Sequence, residues 1–97
     1  MNSSKPAESN VRHNREQSRF EAEVGGHLAV AEYVVEGDRM IFTHTLVPPE
    51  LRGSGLAAQL VRAGLTAARA EGRRVVPACS YVAAFIERNP EFKDLLA

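Results

Sequence analysis

Hydrophobic and polar positions change period along this chain, and each change marks an element. Phe20-Glu21-Ala22-Glu23-Val24 alternates as a strand with one wet face does, and is read as an edge strand. Gly25-Gly26 supplies a hairpin turn. His27 to Val35 places Leu28, Val30 and Val34 on one side and Ala29, Ala31, Tyr33 and Val35 on the other, so with both faces mostly apolar it is predicted to be central. Glu36-Gly37-Asp38 turns the chain again, and Arg39 to Val47, rich in β-branched and aromatic residues, completes an antiparallel meander. The period then lengthens. Leu56, Leu60, Val61, Gly64, Leu65 and Ala68 recur at helical spacing with Gln59, Arg62, Thr66 and Arg69 opposite, predicting a helix from about Ser54 to Glu71 closed by Gly72. Arg73 to Ala78 is a short strand, which a crossover should set parallel to the third. Ser80 can cap a last helix from Tyr81 to about Arg88, and Asn89-Pro90 ends it.

Between the third strand and the long helix lies Val47-Pro48-Pro49-Glu50-Leu51-Arg52-Gly53-Ser54-Gly55-Leu56-Ala57. The prolines stop the strand by withholding ladder donors, an arginine follows, and glycines open the helix. The first N–H groups of a helix lack intrahelical acceptors, the macrodipole is positive there, and glycine admits a ligand close to the backbone. The segment therefore reads as a pyrophosphate cradle. Pro77 predicts that the parallel pair splays near its end and leaves a slot with free backbone groups. Gly53-Ser54-Gly55-Leu56-Ala57-Ala58 also fits the Gly-x-Gly-x-x-Ala of dinucleotide folds. Those folds expect a tight strand-to-glycine turn and an acidic residue about 20 positions on. This chain has a long loop and Cys79 instead, after an antiparallel meander.

At 97 residues the chain is expected to make one domain with a modest core over residues 11–97, preceded by a disordered tail over Met1 to Asn10. Twelve basic and twelve acidic side chains give zero formal charge, which argues against nucleic acid as a partner. One cysteine excludes an internal disulfide framework, and with three scattered histidines it gives no metal-ligand spacing. No apolar run approaches the roughly 18 residues of a membrane span, so no membrane partner is expected and the cytoplasm is the default compartment.

Arg52-x-x-Gly55-x-Ala57, set between a meander and a crossover helix, resembles the acyl-CoA-binding signature of the GNAT N-acetyltransferase superfamily. The likeness is closest to its short stand-alone YjdJ-type branch, because Val76-Pro77-Ala78-Cys79-Ser80-Tyr81 and Arg88-Asn89-Pro90 follow at matching spacings. It covers about Val11 to Leu96. The resemblance implies a GNAT-like α/β fold (an α+β mixed sheet), with an antiparallel three-strand meander followed by helix, parallel strand and C-terminal helix. It also implies acetyl-CoA or coenzyme A held between splayed strands, and acetyl transfer to an amine acceptor, a protein lysine or a small amine. The N-terminal helices that wall the acceptor site in full-length members have no counterpart here. A non-catalytic acyl-CoA-binding module acting through a partner is therefore the alternative.

Under that resemblance Arg52 and the amides of Gly53, Ser54, Gly55, Leu56 and Ala57 hold the pyrophosphate, and a backbone N–H near Leu46 or Val47 meets the thioester oxygen. Arg73, Arg74 or Arg88 would meet the remaining phosphate, although the first two also read as a solvated strand start. Cys79 stands where a strand ends and a helix begins, which favours thiolate. It either takes the acetyl group, shapes the slot, or is a small buried hydrophobe. His44, in register with Met40, Phe42 and Leu46, is expected on an apolar face. It is either a satisfied core residue or a base that takes the amine's proton or activates Cys79. Tyr81 protonates the leaving thiolate or packs, Asn89 meets the pantetheine amides or caps its helix, and Glu32 steers a cationic acceptor or is simply wet.

Overall fold

The computed structural model describes residues 10–97, so the tail expected over Met1 to Asn10 lies outside the described residues except for Asn10. Five strands form one sheet in sequence order: β1 (Val11–Asn14), β2 (Arg19–Val24), β3 (His27–Glu36), β4 (Arg39–Leu46) and β5 (Arg74–Pro77). The first four are antiparallel and β5 runs parallel to β4. Helix α1 (Leu56–Ala70) joins β4 to β5, and α2 (Ser80–Arg88) leads through a 3-10 segment, Pro90–Leu95, to Leu96, which bridges to Val75 in parallel. Both crossovers step the same way across the sheet, and right-handed connection puts both helices on one face. There Arg62 of α1 lies 5.4 Å from the Phe85 ring of α2. This is the mixed α/β sheet that the pattern predicts.

The meander has one strand more than expected. β1 pairs with β2 from Val11↔Ala22 to Asn14↔Arg19 and takes the edge position that β2 was expected to hold. Its sequence carries no apolar alternation, so contacts to other strands hold it. His13 stacks on Phe20 with ring centroids 4.0 Å apart, and its Nε2 lies 2.6 Å from the Tyr33 hydroxyl.

Cross-strand partners share a face, so registers assign the two sides of the sheet. On the helix side, small residues at Ala22, Ala29 and Ala31 let α1 sit low over the strands, and Leu60, Val61 and Leu65 are fully buried against them. Gly64 brings α1 so close that a Cβ there would stand 2.7 Å from Phe42 Cε1. On the other side no helix among the described residues covers the sheet. β3 is central but not buried on both faces: Leu28 is 40% exposed and Val34 47%. Glu21 and its partner Val30 are exceptions on that open side; Glu21 is buried beneath Arg12, Arg19 and Asn14, whose side chains bond its carboxylate.

One irregularity decides where the site residues point. Tyr33 pairs with Phe42, but the next residue back, Glu32, pairs with His44, so Thr43 is an extra residue on β4. Such a bulge reverses the alternation beyond it. Met40 and Phe42 face α1, whereas past Thr43 the helix side belongs to Thr45, and His44 and Leu46 turn to the open side with their partners Glu32 and Val30.

Candidate active site

β4 ends at Leu46, and Pro48-Pro49 start a single 3-10 turn, Pro49–Leu51. Gly53 and Gly55 then adopt left-handed φ of 81° and 84°, and Gly55 is the N-cap of α1. A glycine cap offers no side chain to the helix, and the first intrahelical bond runs from Gln59 N to Gly55 O. The N–H groups of Leu56, Ala57 and Ala58 therefore have no acceptor within α1. A Cβ at Gly53 would meet nothing within 4 Å, so the space above the loop is open. Arg52 donates through Nε to Val47 O at 3.2 Å, which fixes its guanidinium beside the helix end. A cavity of about 240 Å³ lies there, lined by Val47, Arg52, Gly53, Gly55, Ala57 and Tyr81 among others. Positive dipole, free donors and a guanidinium converge on one space, the electrostatics of an anion site.

The slot lies beside it. The β4–β5 ladder ends at Phe42↔Pro77, and the last rung is Cys79 N–H to Phe42 O at 2.9 Å. Beyond it Ala78 N bonds back to Val76 O and α2 begins, while β4 runs on to Leu46 with no partner on that side. Cys79 is the N-cap of α2, and its Sγ lies 3.5 Å from Thr45 Oγ1. Burial pushes the Cys79 thiol up, but hydrogen bonds from the Thr45 hydroxyl and from the N–H groups of Val82, Tyr81 and Thr45 outweigh it, leaving the thiol below its ordinary range. Thr45 was not foreseen as a site residue, because only the bulge puts it there. A second, more open groove of about 500 Å³ runs from the slot to the uncovered side of the sheet, and Val47, Arg52, Ala57 and Tyr81 line both spaces.

Several expected positions need correction. His44 is not on the Met40 and Phe42 face; its side chain is 69% exposed on the open side, with Nδ1 3.8 Å from Glu32 Oε1. It therefore stands on the side opposite the one where Thr45 meets Cys79, which removes it as an activator of that thiol. Leu46 lines the groove, yet its backbone polar groups face β3, because the bulge shifts the slot-facing set to Thr45 and Val47. Ser54 bends away: its N–H and hydroxyl both donate to Leu51 O. Asn89 caps α2 by donating to Phe85 O at 2.8 Å and accepts from Arg62, so it is engaged between the helices rather than in the slot. Arg73 and Arg74 lie at the start of β5, the far end of the sheet from the cradle, and bond Gly37 O and Asp94 O. Arg88 is about 12 Å along α2 from Ser80.

A family profile described as GCN5-related N-acetyl-transferase matches residues 19–95. Protein NATD1 of Bos taurus is 34% identical over 83 residues, spanning 82% of this chain and 74% of that one. Protein NATD1 of Mus musculus is 31% identical over 83 residues, with 82% and 76% covered. In fold, the chain is similar to the NMR solution structure of a GCN5-like protein from Staphylococcus aureus, at a TM-score of 0.70 and 23% identity over 92% of this chain and 90% of that one. With the matched region running from the start of β2 to the last 3-10 segment, the chain belongs to the GCN5-related N-acetyltransferase family.

Proposed function

We propose that the protein is an acetyl-CoA-dependent N-acetyltransferase of the short stand-alone YjdJ-type branch, acting on an amine. The observation that carries this reading is the joining of the anion cradle to the groove that leaves the slot, through four shared residues, Val47, Arg52, Ala57 and Tyr81. A ligand with phosphates at one end and a long thin arm at the other fits such a pair of spaces. The donor set suits it: helix N–H groups and a guanidinium for the phosphates, unpaired strand backbone and apolar walls for the arm.

When bound, acetyl-CoA supplies the activated acetyl group. Arg52 and the N–H groups of Leu56, Ala57 and Ala58 hold the pyrophosphate, and the N–H of Val47 is the donor for the acyl oxygen. Cys79 Sγ, kept toward thiolate by the donors around it, is the nucleophile that takes the acetyl group. The Tyr81 hydroxyl holds a proton for the departing thiolate. His44, across the sheet from Cys79 and beside Glu32, takes the proton released by the amine through water rather than directly.

Thermal shift with acetyl-CoA, coenzyme A, NAD and ATP tests the cradle, because a ligand bound only by the native state raises the melting temperature. Stabilisation by the two acyl-carrier ligands alone is expected. Intact mass after incubation with acetyl-CoA should then show one acetyl adduct that Cys79→Ala abolishes. Full turnover by Cys79→Ala would assign direct transfer from coenzyme to amine. The open side of the sheet favours one second reading, a non-catalytic acyl-CoA module completed by a partner; binding without turnover of any amine would establish it.

A further inference from the structure

The edge strand β1 is held in place by a side chain whose charge changes near neutrality. His13 projects to the helix side, where its ring stacks on Phe20 of β2 at 4.0 Å, meets Tyr33 of β3 edge-on at 5.6 Å and brings Nε2 to 2.6 Å from the Tyr33 hydroxyl. Phe20 is 3% exposed and Tyr33 6%, so the ring rests on a dry floor. A neutral imidazole can accept the Tyr33 proton and leave the buried hydroxyl satisfied. A protonated one only donates, and that hydroxyl proton then has no acceptor among the described residues. The charges nearby are positive on balance. Glu71, just past the end of α1, bonds both Arg15 of the turn after β1, at 2.9 Å, and Arg73, at 3.1 Å, which leaves one arginine charge over. Beside the ring β2 and β3 offset nothing: Arg19, Glu21 and Glu32 lie on the open side with Arg12, and Arg62 and Arg69 of α1 turn to Glu91 and Asp94. Burial, and then Arg15, hold the His13 imidazole below its ordinary 6.5 against the pull of Glu71, while burial raises the Tyr33 phenol.

We propose that His13 is a proton-operated latch on β1: neutral, it fastens the strand to the sheet, and protonated, it lets β1 lift and bare the outer edge of β2 together with the Phe20 ring. β1 has only four residues and no apolar alternation, so few other contacts oppose its release. The tie on its other face, Arg12 to Glu21, does not respond in the same range, because Glu21 is held down to about 2. A folded value lowered below the free one gives a latch that is fully closed above 6.5 and opens as pH falls below it. Burial of the ring and the uncompensated arginine act in the same direction, and both are lost when the strand leaves. The device is independent of the transferase reading.

Amide hydrogen exchange of the full chain at about pH 7.5 and about pH 5.5, corrected for the intrinsic pH dependence of exchange, reads the opening of each strand separately. The amides of β1 should lose protection about two- to fivefold at the lower pH, the scale of one exposed charge interaction, while α1 and the β3–β4 ladder keep theirs. His13→Gln keeps a hydrogen-bonding group beside Tyr33 without a titration, so its β1 protection should be the same at both values. Arg15→Gln removes the repelling charge and leaves Glu71 to act on the ring, so the loss should shrink; where His13→Gln does not hold β1 at neutral pH, this variant carries the test. Equal protection of wild-type β1 at the two pH values, a loss that persists in His13→Gln, an undiminished loss in Arg15→Gln, or the same loss in every strand would overturn the proposal.

Discussion

Replacing Gly64 by alanine asks whether the close approach of α1 to the sheet supports the site. In an unobstructed helix interior this change stabilises by about 1 kcal/mol, because glycine has the greater backbone entropy to lose. At Gly64 the new Cβ would lie 2.7 Å from Phe42 Cε1, 2.9 Å from Phe42 Cζ and 3.4 Å from Phe20 Cδ1. The Phe42 ring cannot swing away, since it is fully buried and backed by Tyr33 with centroids 6.1 Å apart. Overpacking costs about 1–3 kcal/mol, and with two contacts under 3.0 Å the upper part of that range, about 2–3 kcal/mol, applies here and outweighs the propensity gain. The net expectation is a loss of about 1–2 kcal/mol, or roughly 4–16 °C in Tm for a domain of this size. Phe42 O also carries the last rung to Cys79, so the displacement should reach the slot and weaken coenzyme A binding. Urea titrations of wild type, Gly64→Ala and the double variant Gly64→Ala/Phe42→Leu measure this, with the smaller side chain expected to recover part of the loss. A Gly64→Ala protein as stable as wild type, or more stable, would refute the reasoning.

The ion cluster on the open side predicts an acid limb of stability. Hydrogen bonds from Arg19, and then from Arg12 and Asn14, outweigh burial and hold Glu21 down from 4.5 to about 2. A depressed folded value stabilises above the unfolded one and is lost as pH falls between them, so about 3 kcal/mol should disappear from pH 4.5 downward. Glu21→Gln should flatten that part of the curve, and an unchanged acid-unfolding profile would remove the cluster as its cause. Thr45→Val deletes the hydroxyl beside Cys79 Sγ, so the pH profile of Cys79 alkylation should move upward; an identical profile would mean that the backbone donors suffice. Arg52→Ala should weaken coenzyme A by about tenfold or more, the scale of a charged hydrogen bond, and reduce the salt dependence of binding. An unaltered Kd would place the phosphates elsewhere.

The alternation of β2 and β3, the helical period of α1 and the turn glycines carried the architecture in the sequence, because each is a local signal whose period matches one backbone geometry. The cradle was equally legible. Prolines, Arg52 and two glycines occur together, and the unpartnered N–H groups at a helix start are a property of any helix. Pro77 marked where the ladder ends, but not through its missing donor: Arg74 N bonds Asp38 O at the start of β4 and Val75 O accepts from Ala97 on the other side, so by alternation the Pro77 nitrogen points away from β4. Tertiary structure alone decided the rest. β1 has no apolar pattern of its own and is a strand because Phe20, Tyr33 and Glu21 give its His13 and Arg12 partners. Asn89 is held as a cap by Arg62, a residue on another helix. The direction of His44 and Thr45 was hidden for the deepest reason. One extra residue at Thr43 reverses which side chains face α1, and a bulge is set by how two strands must pair rather than by either strand's sequence.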